Sequence, residues 1–256
     1  GLSDTLNTVK ELKKQIEEEQ GKLESEISRY GSIINGQAAQ RGELNKKTNL
    51  EVIFVEDGGS TDNTREELLK AEKTKKFVKK VFIDEKGYGI SIFRGLQSAK
   101  GEFIAWTHAD LQTDPNDVLK AYEIIKRQKN PLKSYIKGKR YGRGLFDNFF
   151  TGGMSVFETV VLGTLMYDIN AQPNLFHRSF LDIMKKPPHD FSFDLYAYYI
   201  AKKKKYNLER FSVYFGERIH GESKWNYSVS SKIKFIKRTL AFTLKLKKLL
   251  REHEKQ

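Results

Sequence analysis

Leu50 to Asp62 reads LEVIFVEDGGSTD. Its first six residues, LEVIFV, form a short apolar run rich in β-branched side chains. The run stops at Glu56-Asp57-Gly58-Gly59-Ser60. That composition predicts a buried strand of the parallel type running into a tight turn. Beyond the turn, strands and helices alternate. A helix is expected over Thr61–Lys75, capped by Ser60 or Asp62, then a strand over Val78–Asp84 and a helix over Gly89–Ala99. Glu102–Thr107 (EFIAWT) reads as a third strand, ending at His108-Ala109-Asp110, and Asp117–Gln128 as another amphipathic helix. Alternation of this kind implies an α/β fold with a mostly parallel central sheet flanked by helices. Ligands of such sheets sit beyond the carboxyl ends of the strands. Both acidic turns, at Asp57 and at Asp110, fall there.

The flanks have a different character. Ser3–Tyr30 carries a sparse apolar stripe at helical spacing (Val9, Leu12, Ile16, Leu23, Ile27), and Gly31–Asn49 is a polar connection. Gly142–Leu165 is rich in Gly and Phe and less regular. Phe191–Lys202 and Ser230–Leu250 read as helices. The expected division is an N-terminal helix and linker over 1–48, a catalytic domain over 49–228, and a basic amphipathic helix over 229–256.

Lys and Arg number 46 against 33 Asp and Glu, a formal net charge of +13. Such an excess favours an anionic partner. It carries no nucleic-acid recognition motif, so nucleic acid is not an expected partner. The 256 residues contain no Cys, which excludes disulfides, thiolate metal sites and a cysteine nucleophile. No apolar signal segment opens the chain, and no run of about 18 apolar residues occurs. A cytoplasmic protein is expected. Lys232–Arg251 interleaves apolar residues with Lys and Arg, a pattern suited equally to an anionic membrane surface or to packing on the domain. A peripheral place on the inner face of the membrane is therefore compatible with the sequence, as is self-association.

The two turns carry the chemistry. Side chains 108, 110 and 112 emerge together if the backbone beyond the third strand stays extended. The imidazole of His108, the carboxylate of Asp110 and the amide oxygen of Gln112 could hold Mg2+ or Mn2+ with positions open for phosphate oxygens. Taken alone, His-x-Asp after a strand is more often a cap or a turn. In the first turn, glycines allow a sharp bend and close approach to a ligand.

Taken in order, five segments are far more specific. Val55–Thr64 (VEDGGSTDNT) resembles the V-D-D-G-S-x-D-x-T segment of family-2 glycosyltransferases. Gly95–Pro115 (GLQSAKGEFIAWTHADLQTDP) is similar to that family's G-x-x-x-A-x-G-x-x-I-x-x-x-D-A-D-L-Q-x-D-P. Lys137–Tyr141 (KGKRY), Asp168–Arg178 (DINAQPNLFHR) and Arg218–Trp225 (RIHGESKW) resemble segments of its polyprenyl- and dolichyl-phosphate sugar synthases. The resemblance implies a GT-A fold and an inverting transfer of sugar from a UDP- or GDP-linked donor. The acceptor would be a lipid phosphate or a glycan hydroxyl, in cell-surface glycan synthesis. It implies that Glu56, Asp57, Gly58, Ser60 and Asp62 hold the nucleotide, with Gly89 and Ala109 lining the donor. His108, Asp110 and Gln112 would hold the metal. Arg140, Arg218, His220, Lys224 and Trp225 would contact the phosphates, as guanidinium forks and ammonium groups do well.

Three departures stand out. The family's opening strand, with its P-x-Y-N-E motif, has no counterpart, since none of the five prolines precedes Asp57. His108 replaces the first Asp of D-x-D, with one negative charge fewer. Asn170–Asn174 replaces the usual S-G-F-R stretch. These departures keep open a catalytically silent, nucleotide-sugar-binding module of the same fold. A hydroxyl acceptor would need a general base, and Asp194 is the candidate, with Asp190 second; one of them equally serves as a helix cap.

Overall fold

The apolar run at Leu50 becomes strand β1, Val52–Glu56, in a computed structural model that describes residues 50–58, 63–109, 112–142, 145–216, 237 and 240–247. The chain divides after Asp84 into two units.

In the first unit β1 pairs in parallel with β2, Val78–Phe82, from Val52 opposite Val78 to Glu56 opposite Phe82. Helix α1, Thr64–Thr74, makes the crossover and buries Leu68 and Ala71 three residues apart, one face of a helix. Glu66 and Glu67 in its first turn and Lys73 in its last complement the helix dipole. Lys79 reaches Glu51 at 2.5 Å and Lys80 pairs with Glu72. Surface pairs of this kind contribute at most about 1 kcal/mol each.

The second unit is built on a four-stranded sheet in the order β3-β5-β4-β6. These strands are Phe103–Trp106, Ser134–Tyr141, Asn174–His177 and Asn207–Tyr214 for β3 to β6. β5 runs antiparallel to both β3 and β4, and β4 runs parallel to β6. The α/β class is as expected. Of the described pairings, β1–β2 and β4–β6 are parallel, and the two that β5 makes are antiparallel. Helices α2 (Tyr88–Ser98), α3 (Asp117–Lys126), α4 (Leu145–Leu162) and α5 (Phe193–Lys203) accompany the sheet.

Alternation along β4 sorts its side chains. Ile136 packs with Leu175 and with Ala121 and Ile125 of α3. Tyr135 faces the larger core, where it stacks on Phe176 at 5.3 Å, and Phe180 meets Phe176 at 4.6 Å. Trp106 of β3 meets Phe193 edge-on at 5.5 Å. α5 is buried from Phe193 to Ala201. Truncating a buried Phe of this kind costs about 3–5 kcal/mol. Phe176 is the aromatic hub of the sheet.

β4, β5, β6 and α4 go beyond the elements read from the sequence. The helix expected over Ser3–Tyr30, the linker to Asn49 and much of the helix expected over Ser230–Leu250 lie outside the described residues. Residues 240–247 are helical, and Leu246 belongs to the main core. Among the described residues no helix is long and apolar enough to cross a membrane.

Candidate active site at the strand ends

β1 ends at the first acidic turn. The Glu56 side chain points inward and is 4% exposed. It accepts a hydrogen bond from Arg65 Nε at 2.6 Å, so its charge is spent on α1. Gly58 follows with φ +71°, a conformation that carries a Cβ only with strain. Asp57 is half-buried, while Ser60 and Asp62 lie outside the described residues.

β3 ends at the second turn. His108 is half-buried and Ala109 exposed, while Asp110 lies outside the described residues. Gln112 is tied to the segment after β6: its Nε2 donates to the Gly216 carbonyl at 3.3 Å, and its carbonyl accepts from Gly216 N at 3.0 Å. The His108 ring lies 5.5 Å from that of Tyr88. Its Nε2 is 2.9 Å from Gln172 Nε2, and the same amide nitrogen donates to the Tyr88 hydroxyl at 2.8 Å. Tyr88 donates in turn to Asp194 Oδ2 at 2.7 Å, and the Trp106 indole donates to Asp194 Oδ1 at 3.3 Å.

That network engages Asp194, the expected general base. Its carboxylate is 2% exposed and both oxygens are engaged. It anchors Tyr88 and Trp106. Asp190 is the more accessible carboxylate. It is half-buried in the loop before α5, with Oδ1 accepting from Ser192 N at 2.9 Å.

Gly89 sits in the first turn of α2. Its N–H donates to the His189 carbonyl at 2.8 Å, and a Cβ there would fall 2.2 Å from the Pro188 carbonyl oxygen. Only glycine lets α2 start against this loop. That contact delivers Tyr88 to Asp194 and stacks it on Phe191 at 4.4 Å.

At β4, Arg140 is already neutralised. Its Nε donates to Asp168 Oδ1 at 2.7 Å and its backbone N to Oδ2 at 2.8 Å. Its Nη2 pairs with the same carboxylate, and the Arg140 side chain is 11% exposed. Burial pushes the Asp168 carboxyl up, but the charge and hydrogen bonds of Arg140 outweigh it and hold it below its ordinary value. A phosphate at Arg140 would share its guanidinium with Asp168. Arg218, His220, Lys224 and Trp225 lie outside the described residues.

Three residues that sequence reasoning missed sit beside these. Gln172 and Tyr88 link His108 to Asp194. Lys137 is fully buried, with Nζ donating to the Ala171 carbonyl at 2.7 Å and to Asn174 Oδ1 at 2.8 Å. Burial pushes its ammonium down to about 7. Part of the signal was present, since Lys137 opens the KGKRY run and Gln172 lies within the departing stretch Asn170–Asn174.

This architecture is the GT-A glycosyltransferase fold. It is shared with glucosyl-3-phosphoglycerate synthase from Mycobacterium tuberculosis bound to uridine diphosphate, at TM-score 0.56 and 14% identity over 76% of this chain and 68% of that one. The same enzyme with Mn2+, uridine diphosphate and glucosyl-3-phosphoglycerate matches at 0.56 and 15%, over 77% and 68%. With Mn2+, uridine-diphosphate-glucose and phosphoglyceric acid it matches at 0.55 and 14%, over 76% and 67%. Identity this low carries the fold alone. Residues 33–151 match the family described as glycosyl transferase family 2, a span that includes both acidic turns.

The structurally similar synthase was crystallised with a divalent ion, Mn2+. Among the described residues no group of three or more His, Cys, Asp or Glu could hold one. His108 does not fit as a ligand through Nε2, because Gln172 occupies that nitrogen.

Proposed function

We propose that the chain transfers a sugar, with inversion, from a uridine-diphosphate-linked donor to an acceptor that carries a phosphate group. The observation that carries this reading is the family match over residues 33–151, which spans the strand ends at Asp57 and Asp110. The structurally similar synthase was crystallised with uridine-diphosphate-glucose and phosphoglyceric acid, or with glycerol 3-phosphate, which supports both the donor and the phosphate-bearing acceptor. The net charge of +13 favours anionic ligands on both sides of the reaction.

Asp57 would hold the nucleoside. Asp110 would hold Mg2+ or Mn2+, which supplies charge neutralisation for the departing diphosphate. An acceptor oxygen attacks the anomeric carbon from the face opposite the diphosphate as the sugar–phosphate bond breaks. If that oxygen belongs to a phosphate, it is already anionic and needs no base. If it belongs to a hydroxyl, a carboxylate must take its proton, with Asp194 and the more accessible Asp190 as the candidates. A polyprenyl phosphate acceptor would bring the protein to an anionic membrane surface. The exposed Leu244 and Lys245 on the helical segment 240–247 suit such a surface.

The test is transfer of labelled sugar from UDP-sugars to glycerol phosphates, phosphoglycerate, polyprenyl phosphate and neutral glycans in parallel. Product on one phosphate acceptor is expected. Product on neutral glycans alone would overturn the acceptor assignment, and donor binding without any turnover would make the chain a binding module.

A further inference from the structure

The hydrogen-bond chain that ends at His108 has a fixed direction, and the direction follows from its far end. The Trp106 indole only donates, and the carboxylate oxygens of Asp194 accept. Asp194 therefore takes the Trp106 N–H on Oδ1 and the single phenolic proton of Tyr88 on Oδ2. With its proton committed, the Tyr88 oxygen can only accept from Gln172. The Gln172 amide must then present nitrogen, since the reversed amide would set Oε1 against a phenol oxygen with no proton between them. The carboxamide nitrogen has two protons. One goes to Tyr88, and the other meets His108 Nε2 at 2.9 Å. The orientation is enforced even though it leaves Gln172 Oε1 buried without a partner.

Nε2 of His108 is consequently an acceptor. In a neutral imidazole the other nitrogen then carries the proton. Neither nitrogen offers a lone pair to a cation: one is engaged by Gln172 and the other is protonated. Nδ1 has no hydrogen-bond partner among the described residues, and the half-buried ring sits directly beyond β3.

We propose that the Asp194–Tyr88–Gln172 chain holds His108 with Nε2 as an acceptor, so that its Nδ1–H donates to a diphosphate oxygen of the nucleotide and the ring is not a metal ligand. This rests on the donor site proposed above. The chain puts an N–H donor where the family pattern has its first carboxylate. The cation is left to Asp110 and the phosphates. Gln172, Tyr88 and Asp194 are positioning residues that act through His108.

The test begins with 15N-labelled histidine and long-range 1H–15N spectra at a pH where imidazole is neutral, with His108 identified by its loss in His108→Ala. A pyrrole-like Nδ1 and pyridine-like Nε2 are expected, unchanged on adding UDP and Mg2+. Gln172→Glu replaces the donor by an acceptor and should move the proton to Nε2, a signature that a purely structural role would not produce. Should that variant fail to fold, the wild-type tautomer still decides. His108→Ala should keep Mn2+ affinity within about two-fold while UDP affinity falls about ten-fold, the expected loss of one hydrogen bond to a charged oxygen. An Nε2-protonated wild type would overturn the proposal. So would a ten-fold or larger loss of Mn2+ affinity in His108→Ala. If folded wild-type protein binds no UDP, the donor-site reading fails and takes the phosphate role with it, whereas the tautomer tests the hydrogen-bond chain alone.

Discussion

Two buried aspartates, Asp168 and Asp194, are each 2% exposed and are handled in opposite ways. Asp168 meets a full charge: Arg140 grips it from side chain and backbone, and Arg210 donates to its carbonyl at 3.1 Å. Asp194 meets two neutral donors, Tyr88 and Trp106. An ion pair cancels its own charge and ends there. A carboxylate satisfied by neutral hydroxyl and indole groups imposes a direction on every hydrogen bond behind it, and here that direction reaches His108. The first arrangement fastens β4 to the turn before β5. The second sets the chemical character of a residue at the strand end where substrate is proposed to bind.

The comparison breaks most visibly at Asp168. Asp168→Ala leaves the Arg140 guanidinium buried without its partner, and breaking such a pair costs about 3–5 kcal/mol. Urea unfolding should show this loss, with much of it recovered when Arg140→Met is added. No recovery would mean that Asp168 acts through something other than Arg140. Gly89→Ala comes next, because its Cβ would meet the Pro188 carbonyl oxygen at 2.2 Å. A loss of about 1–3 kcal/mol is expected as α2 shifts, together with weakened Tyr88 fluorescence coupling to Trp106. Asp194→Asn should cost only about 1 kcal/mol, because neutral donors lose less than a guanidinium does. Its larger effect is expected in the His108 tautomer, which should become mixed. An equal cost for Asp194→Asn and Asp168→Ala would erase the distinction between the two sites.

Two further buried groups give smaller effects of opposite sign. Burial pushes the Glu158 carboxyl of α4 from 4.5 up to about 8. Between those values the unfolded chain gives up this proton first, so stability falls as pH rises. Burial pushes Lys137 from 10.5 down to about 7. Between about 7 and 10.5 the unfolded chain holds more protons, so stability rises with pH. Urea midpoints across pH should therefore flatten on the acid side in Glu158→Gln and on the alkaline side in Lys137→Met. Unchanged profiles would show that these groups titrate normally.

Legibility in the sequence followed the same division. LEVIFV and EFIAWT announce β1 and β3 because buried strands with apolar runs need no partner to be recognised. The turn at His108 was placed for the same reason, as the end of such a run. β4 was hidden because SYIKGKRY carries Lys137, Lys139 and Arg140, which read as a solvated surface. Only the Ala171 carbonyl and Asn174, a strand away, make a buried Lys137 tolerable. β5 has four residues, and β6 alternates charged with apolar side chains, so neither stood out. In α4, Gly152 and Gly153 masked an 18-residue helix. The Gln172–His108 contact spans 64 positions and the Tyr88–Asp194 contact 106, and no local pattern foretells such pairs. For that reason Asp194 read as a free acid at a helix start when its carboxylate is in fact committed.

The central claim, that the end of β3 receives a nucleotide diphosphate with its cation on Asp110, is tested most directly by calorimetric titration of UDP with and without Mn2+. The account predicts saturable binding that Mn2+ tightens by about ten-fold, a coupling of roughly 1.4 kcal/mol, and that Asp110→Asn no longer gains. Absence of UDP binding by the folded protein, or the same gain in Asp110→Asn, would contradict it.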